Sequence, residues 1–188
     1  MGKVIVSQFV TVDGVVEDPG GSENSPHGGW AFKFERGEEG DKFKMDELDD
    51  ADALLLGRTT FEGFAEAWPS REGPFADKFN GMPKYVVSST LSDPEWTNTT
   101  VIGSNLEEEV PKLRDRHDGD VVVHGSAQLA QALIERDLVD ALNLMLFPVV
   151  LGAGKRLFGD TSDKKTLKLA ESKQVGKDGV TILIYQRA

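Results

Sequence analysis

The chain has no cysteine, which rules out disulfide staples, thiolate nucleophiles and cysteine-bound zinc. Histidine is scarce as well: His27, His117 and His124 are the three present, and none stands at metal-ligand spacing from another, so no metal site is expected. No apolar run approaches the ~20 residues that a membrane-spanning helix needs. The opening stretch, MGKVIVSQFV, carries neither the long apolar segment nor the small-residue cleavage site of a secretory signal. The expectation is a cytoplasmic protein with no membrane partner. Basic residues are outnumbered, 21 against 32 acidic ones, and the net charge is −11. A surface of that sign repels a phosphate backbone at long range, so nucleic acid is not an expected partner. The acidic runs ERGEEGD, DELDDAD and NLEEEV read as solvated faces and helix starts.

What is present suffices for one globular domain, residues 1–188, with 39% hydrophobic residues to fill one core. Short β-rich runs recur at KVIVSQFV, residues 52–56, KYVVSS, TTVIG and DVVVHG, each closed by polar or glycine residues. Between them, residues 41–48, 60–67, 106–117 and 127–136 carry helical spacing. Strand and helix therefore alternate, which predicts an α/β fold with a mostly parallel central sheet flanked by helices. After Asp140 the pattern changes to ALNLMLFPVV, TLKLAESKQV and GVTILIYQRA, and the KDG turn at 177–179 predicts a C-terminal antiparallel hairpin. Residues 18–40, rich in Gly, Glu and Ser, read as a surface loop or a cover over a site.

Two stretches share one local grammar. In LLLGRTTFEGF an apolar strand stops at Gly57 and feeds a helix through Arg58, Thr59 and Thr60; in VVVHGSAQLAQALI a strand stops at Gly125-Ser126 and a helix starts near Ala127. The first N–H groups of a helix have no partner inside it and attract anions, so two such starts suggest a dinucleotide with two phosphates. Arg58 has a guanidinium suited to a phosphate dianion, or it pairs with a surface carboxylate. Ser88, Ser89 and Thr90 end the run YVVSST, placing hydroxyls at a strand's carboxyl end, where open sheets bind ligands.

Taken in order, Thr11-Val12-Asp13-Gly14, Gly57-Arg58-Thr59-Thr60, YVVSST, VVVHGSAQLAQALI and Pro148-Val149-Val150-Leu151-Gly152-Ala153-Gly154 resemble the dihydrofolate-reductase-like fold. They are most similar to the reductase domain at the C-terminus of the bacterial bifunctional riboflavin deaminase-reductase and its stand-alone relatives. The resemblance spans essentially the whole chain and implies NADPH as cofactor. It assigns Arg58, Thr59, Ser88 and Ser89, with Gly57 before them, to the adenosine side. Thr60 and Gly125, Ser126, Ala127, Gln128 and Leu129 fall to the pyrophosphate, and Val16 to the nicotinamide. Ser126 stands where the family has a second glycine; either its Cβ crowds a backbone that must approach the diphosphate or its hydroxyl donates in compensation.

The activity implied is an NADPH-dependent reductase acting on a small heterocyclic or ribosylaminopyrimidine-like substrate. A dihydrofolate or pterin reductase and a non-catalytic nucleotide-binding module on the same fold are the alternatives, and a homodimer is an assembly left open. On the substrate side, an ungapped count back from the Gly-Arg motif lands on Asp41 as the ring-anchoring acid, or else Asp41 caps its helix. Asp13 either hydrogen-bonds substrate or shapes the VDGV turn. His124, at a strand end, is a candidate to orient substrate or supply a proton. Trp30 and Phe61 are candidate pocket walls, with core packing as the other reading of each. The basic pair Lys155-Arg156 is either solvated or meets a substrate phosphate.

Overall fold

The computed structural model describes residues 2–188. Strand β1 (Val4–Thr11) runs through the centre, and the chain then makes a long excursion that ends in a 3-10 turn at Trp30–Lys33. Helix α1 (Gly37–Asp50), strand β2 (Ala51–Gly57), helix α2 (Arg58–Ala67), helix α3 (Pro74–Gly81), β3 (Lys84–Val87) and β4 (Thr99–Ile102) follow. Helix α4 (Leu106–Arg116), β5 (Asp120–Val123), α5 (Ala127–Glu135), β6 (Ala141–Phe147), β7 (Leu167–Val175) and β8 (Val180–Arg187) complete the chain. The strands form one eight-stranded sheet in the order β4-β3-β2-β5-β1-β6-β8-β7. The pairs among β1 to β6 are parallel, whereas β8 runs antiparallel to β6 and β7 antiparallel to β8. The expected α/β class and C-terminal hairpin are both present.

Alternation along the strands sorts side chains onto two faces. Val4, Val6, Leu55, Val121 and Val123 meet Val110, Leu113 and Leu133 of α4 and α5 on one face. Leu54, Leu56, Val86 and Val122 meet Leu48, Phe61 and Phe79 of α1, α2 and α3 on the other. Being buried on both sides, the parallel strands read as continuous apolar runs. A third cluster, Trp30, Met145, Phe147, Val180 and Ile182, sits over the antiparallel end.

Two features depart from expectation. Helix α1 starts at Gly37 rather than Asp41, because Glu38 and Glu39 favour the positive end of the helix dipole even though two glycines weaken the first turn. Helix α3 was not anticipated; it is eight residues long, opens on Pro74 and buries only Ala76 and Phe79, too little to show a period. The segment after β1, read as a surface loop or a cover over a site, is tied down by its own hydrogen bonds. The Asp18 carboxylate accepts the N–H groups of Glu23 (3.0 Å) and Ser25 (3.1 Å), and the Trp30 indole donates to the Glu17 carbonyl at 2.9 Å.

Candidate active site

Because β2 and β5 are neighbours, the helix starts that follow them lie side by side at the carboxyl edge of the sheet. Gly57 N–H donates to the Gly125 carbonyl at 3.0 Å. A Cβ on Gly57 would lie 2.4 Å from Ser126 Oγ, and one on Gly125 would lie 2.5 Å from Thr60 Oγ1. Gly125 also has φ +141°, a conformation L side chains rarely adopt. The two glycines therefore permit the two turns to touch. Gly57 caps α2 with no side-chain acceptor, so no side-chain cap engages the first N–H groups of this helix, those of Arg58, Thr59 and Thr60. Helix α5 differs: Ser126 is its N-cap and its Oγ accepts from Leu129 N–H at 3.3 Å. The hydroxyl at the position of the expected second glycine thus serves the helix, and the Leu129 N–H assigned to the pyrophosphate is already engaged. Leu129 itself is buried, Ala127 is half-buried and Gln128 is exposed.

Arg58 lies on the rim of this notch, with Nε on Glu62 at 2.8 Å and Nη1 on Thr90 Oγ1. Arg58 thus pairs with a surface carboxylate and reaches the turn after β3. The Ser88 hydroxyl accepts from Thr90 N–H (3.2 Å) and Leu91 N–H (3.0 Å), holding that turn, while Ser89 is exposed. Thr90 is the hydroxyl that meets Arg58. Thr59 is exposed on the first turn of α2, and Thr60 is half-buried against Gly125.

The turn after β1 is built around Asp13. Its carboxylate accepts from Thr11 Oγ1 (2.6 Å), Leu151 N–H (3.2 Å) and Gly152 N–H (2.8 Å). The Thr11 hydroxyl and the two amides favour the charged form, so its pKa falls to about 2. Asp13 thus clamps the turn to the 148–156 loop, the turn-shaping one of its two readings. Arg156 donates from Nε to the Asp13 carbonyl at 3.1 Å and belongs to the same clamp, while the Lys155 ammonium lies near Glu17. Val16 is buried, with its N–H on the Lys155 carbonyl at 2.9 Å.

Between α1 and the sheet lies a cluster that sequence reading missed. Lys44 donates to Ser7 Oγ at 2.6 Å and pairs with Glu47. Glu47 also accepts from Ser7 Oγ at 2.7 Å and from Asn143 Nδ2 at 2.9 Å. The Lys44 and Glu47 side chains are only 12% and 5% exposed. Burial pushes the Glu47 carboxyl up, but the Lys44 charge and the hydrogen bonds from Lys44 and Asn143 outweigh it, so its pKa is lowered and it stays ionised. His124, one residue past β5, faces this pair. Burial first and the Lys44 charge second push its pKa down to about 4, so the imidazole is neutral at pH 7. Its ring packs against Phe64 and Phe79 at 6.3 and 5.9 Å between centroids. A small cavity bounded by Lys44, Glu47, Phe75 and His124 opens here.

Three of the sequence candidates lie elsewhere. Asp41 is exposed and pairs with Arg36 at 2.6 Å; its side chain is 65% exposed because it falls about 100° around the helix from Gly40, on the solvent side. It does not cap α1 either, since the helix begins four residues earlier. Trp30 is 1% exposed and packs edge-on against Phe147, pinning its loop to the core. Phe61 is 3% exposed and packs against Trp96. Neither aromatic is a pocket wall. The stripe that does face inward on α1 contains Gly40, Lys44, Glu47 and Leu48.

The fold, an α/β sheet with helix starts paired at its carboxyl edge, is that of the dihydrofolate-reductase-like proteins. Residues 2–181 match the model of the RibD C-terminal domain, and the chain belongs to that family. It is 30% identical over 188 residues to the uncharacterized protein YyaP of Bacillus subtilis (strain 168), covering 97% of this chain and 94% of YyaP. A putative riboflavin biosynthesis protein from Shewanella sp. PV-4 superposes with a TM-score of 0.80 at 20% identity, over 99% of each chain. Dihydrofolate reductase from Enterococcus faecalis, solved with NADP(H), superposes with a TM-score of 0.65 at 18% identity, over 99% of this chain and 96% of that one.

Proposed function

We propose that the protein is an NADPH-dependent reductase of a small heterocyclic or ribosylaminopyrimidine-like substrate. The observation that carries this reading is the contact of the α2 and α5 starts through Gly57 and Gly125, with Arg58 on the rim. The residues fit a 2′-phosphorylated dinucleotide. The open N–H groups of α2 suit a diphosphate, and Arg58 has two exposed partners, Glu62 and Thr90, to exchange for a phosphate dianion. An exposed ion pair of that kind is worth roughly 0–1 kcal/mol, less than a charge-assisted bond to phosphate. Arg58, Thr59 and Thr90 would hold the adenosine end, Thr60 and the Gly125-Ser126 turn the diphosphate, and Val16 the nicotinamide side.

When bound, the nicotinamide supplies the hydride. The chain's own contribution is to position the substrate and to exclude water, with half-buried Phe64, Trp68 and Phe75 on one side and the Lys44–Glu47–His124 cluster on the other. Since the imidazole is neutral at pH 7, His124 acts as a hydrogen-bonding group and not as an imidazolium acid. NADPH absorbance, followed with the riboflavin-pathway ribosylaminopyrimidine and with dihydrofolate, tests the assignment. Turnover of the first is expected; binding of NADPH without oxidation by either would leave a binding module.

A further inference from the structure

Strand β1 turns Val4, Val6, Gln8 and Val10 toward one face of the sheet. The three valines belong to the cluster beneath α4 and α5, and Gln8 is the polar exception among them. It is 7% exposed, and among the described residues its Nε2 has no hydrogen-bond partner. Arg114 Nε is likewise unpaired, but that guanidinium bonds the Leu138 carbonyl and the Asp140 carboxylate through Nη2. A buried amide donor left unpaired costs stability that a leucine in the same space would not, so folding alone does not account for Gln8.

The topology sets Gln8 beside the notch. Strand β1 pairs with β5 as far as Val6 and Val123, so on that side Gln8 is level with the Gly125-Ser126 turn and not with another strand. On the other side it stands opposite Leu144 of β6. The strand order β3-β2-β5-β1 places the Arg58–Thr90 rim, the Gly57–Gly125 contact and Gln8 in succession across the sheet. A dinucleotide with its phosphorylated ribose at Arg58 and its diphosphate at the two glycines therefore brings its far ring to β1. Val16, on that side, belongs to the same cluster as the valines that flank Gln8. We propose that the Gln8 amide is held unpaired in the free protein to meet the carboxamide of the nicotinamide ring, its Nε2 donating to the carboxamide oxygen. A primary amide both donates and accepts, so glutamine and carboxamide are complementary in a way that glutamine and phosphate, which offers only acceptors, are not. The inference rests on the reductase reading, since it concerns the ring end of the same cofactor.

The test compares the wild type with Gln8→Leu and with Gln8→Met, which keeps an unbranched stem and lacks the amide. Each is melted without ligand, then titrated calorimetrically with NADPH and with 2′-phospho-ADP-ribose, which has the adenosine and diphosphate but no nicotinamide. The free variants are expected to melt higher than the wild type by roughly 2–6 °C, because the unpaired donor is gone. NADPH should bind both variants on the order of tenfold more weakly than it binds the wild type, while 2′-phospho-ADP-ribose binds all three alike. A role confined to packing would not separate the two ligands. Equal weakening of both ligands would move Gln8 to the diphosphate or to the fold, and an unchanged NADPH affinity in a folded variant would remove it from the site. Variants that melt no higher than the wild type, or fail to fold, would mean that the amide already serves the free protein. Each of these three results overturns the proposal. A wild type that binds neither ligand would overturn the reductase reading and the partner assigned to Gln8 with it, whereas a wild type that binds both, with NADPH affinity untouched by the substitutions, would overturn the role of Gln8 alone.

Discussion

His124 and Asp13 show how one residue's surroundings decide what it can do. With its pKa pushed down to about 4, His124 is more easily protonated in the unfolded chain, at 6.5, than in the native state. The sign follows: the unfolded state binds more protons between those values, so burial of the neutral ring destabilises the fold as pH falls from 6.5 toward 4 and has no effect above that window. Lys44 lowers this pKa and Glu47 raises it, so an NMR titration should find it higher in Lys44→Met and lower in Glu47→Gln. An unchanged value in both variants would mean that burial alone sets it. Asp13 runs the other way. Its pKa of about 2, against 3.8 unperturbed, gives stability that is fully present above 3.8 and lost as pH falls toward 2. Asp13→Asn should lower the melting temperature at pH 7 and speed amide exchange at Leu151 and Gly152, because the amide cannot accept both backbone bonds with the strength of a carboxylate. The turn role of Asp13 was visible in VDGV, whereas its partners, some 140 residues along, were not. In GEEGDKFKMDELDD charges stand all round the helix, so spacing alone could not separate Asp41, which faces solvent, from Glu47, which faces the sheet.

At the scale of elements, the paired starts of α2 and α5 differ in capping, and the difference is testable. Ser126→Ala should cost about 1 kcal/mol of stability through loss of the cap, while Ser126→Gly should cost only a few tenths, because glycine is itself an acceptable N-cap. Ser126→Gly also frees the Leu129 N–H, so chemical denaturation and NADPH titration of the two variants should move apart. Gly125→Val forces a β-branched side chain onto φ +141° and against Thr60, and should abolish the NADPH response by driving the notch apart. The strands and long helices were legible because buried parallel strands are continuous apolar runs and α2, α4 and α5 carry one apolar face each. Helix α3 and the turn at Trp30–Lys33 were not, since each buries only two residues and owes its shape to tertiary contacts. Lys84 is similar: it reads as a polar strand start, yet it is fully buried and donates to the carbonyls of Asn80, Met82 and Thr97.

Across the whole molecule, a chain of net charge −11 repels an anionic dinucleotide at long range, so the recognition we propose rests on short-range donors at the notch. Resemblance made that notch legible in the sequence as a set of residues. Its geometry depends on β2 and β5 becoming neighbours although α2, α3, α4 and two strands separate them in the chain. The most direct measurement of the central claim is the thermal shift produced by NADPH and by NADH, at equal concentration, in the wild type and in Arg58→Ala. A ligand at a hundredfold excess over its dissociation constant stabilises by about 2.7 kcal/mol, which for a chain of this size is a shift of roughly 5–10 °C. The account predicts a larger shift with NADPH than with NADH in the wild type, and convergence of the two in Arg58→Ala. Equal shifts with the two dinucleotides in the wild type, or a preference for NADPH that survives the loss of Arg58, would contradict it.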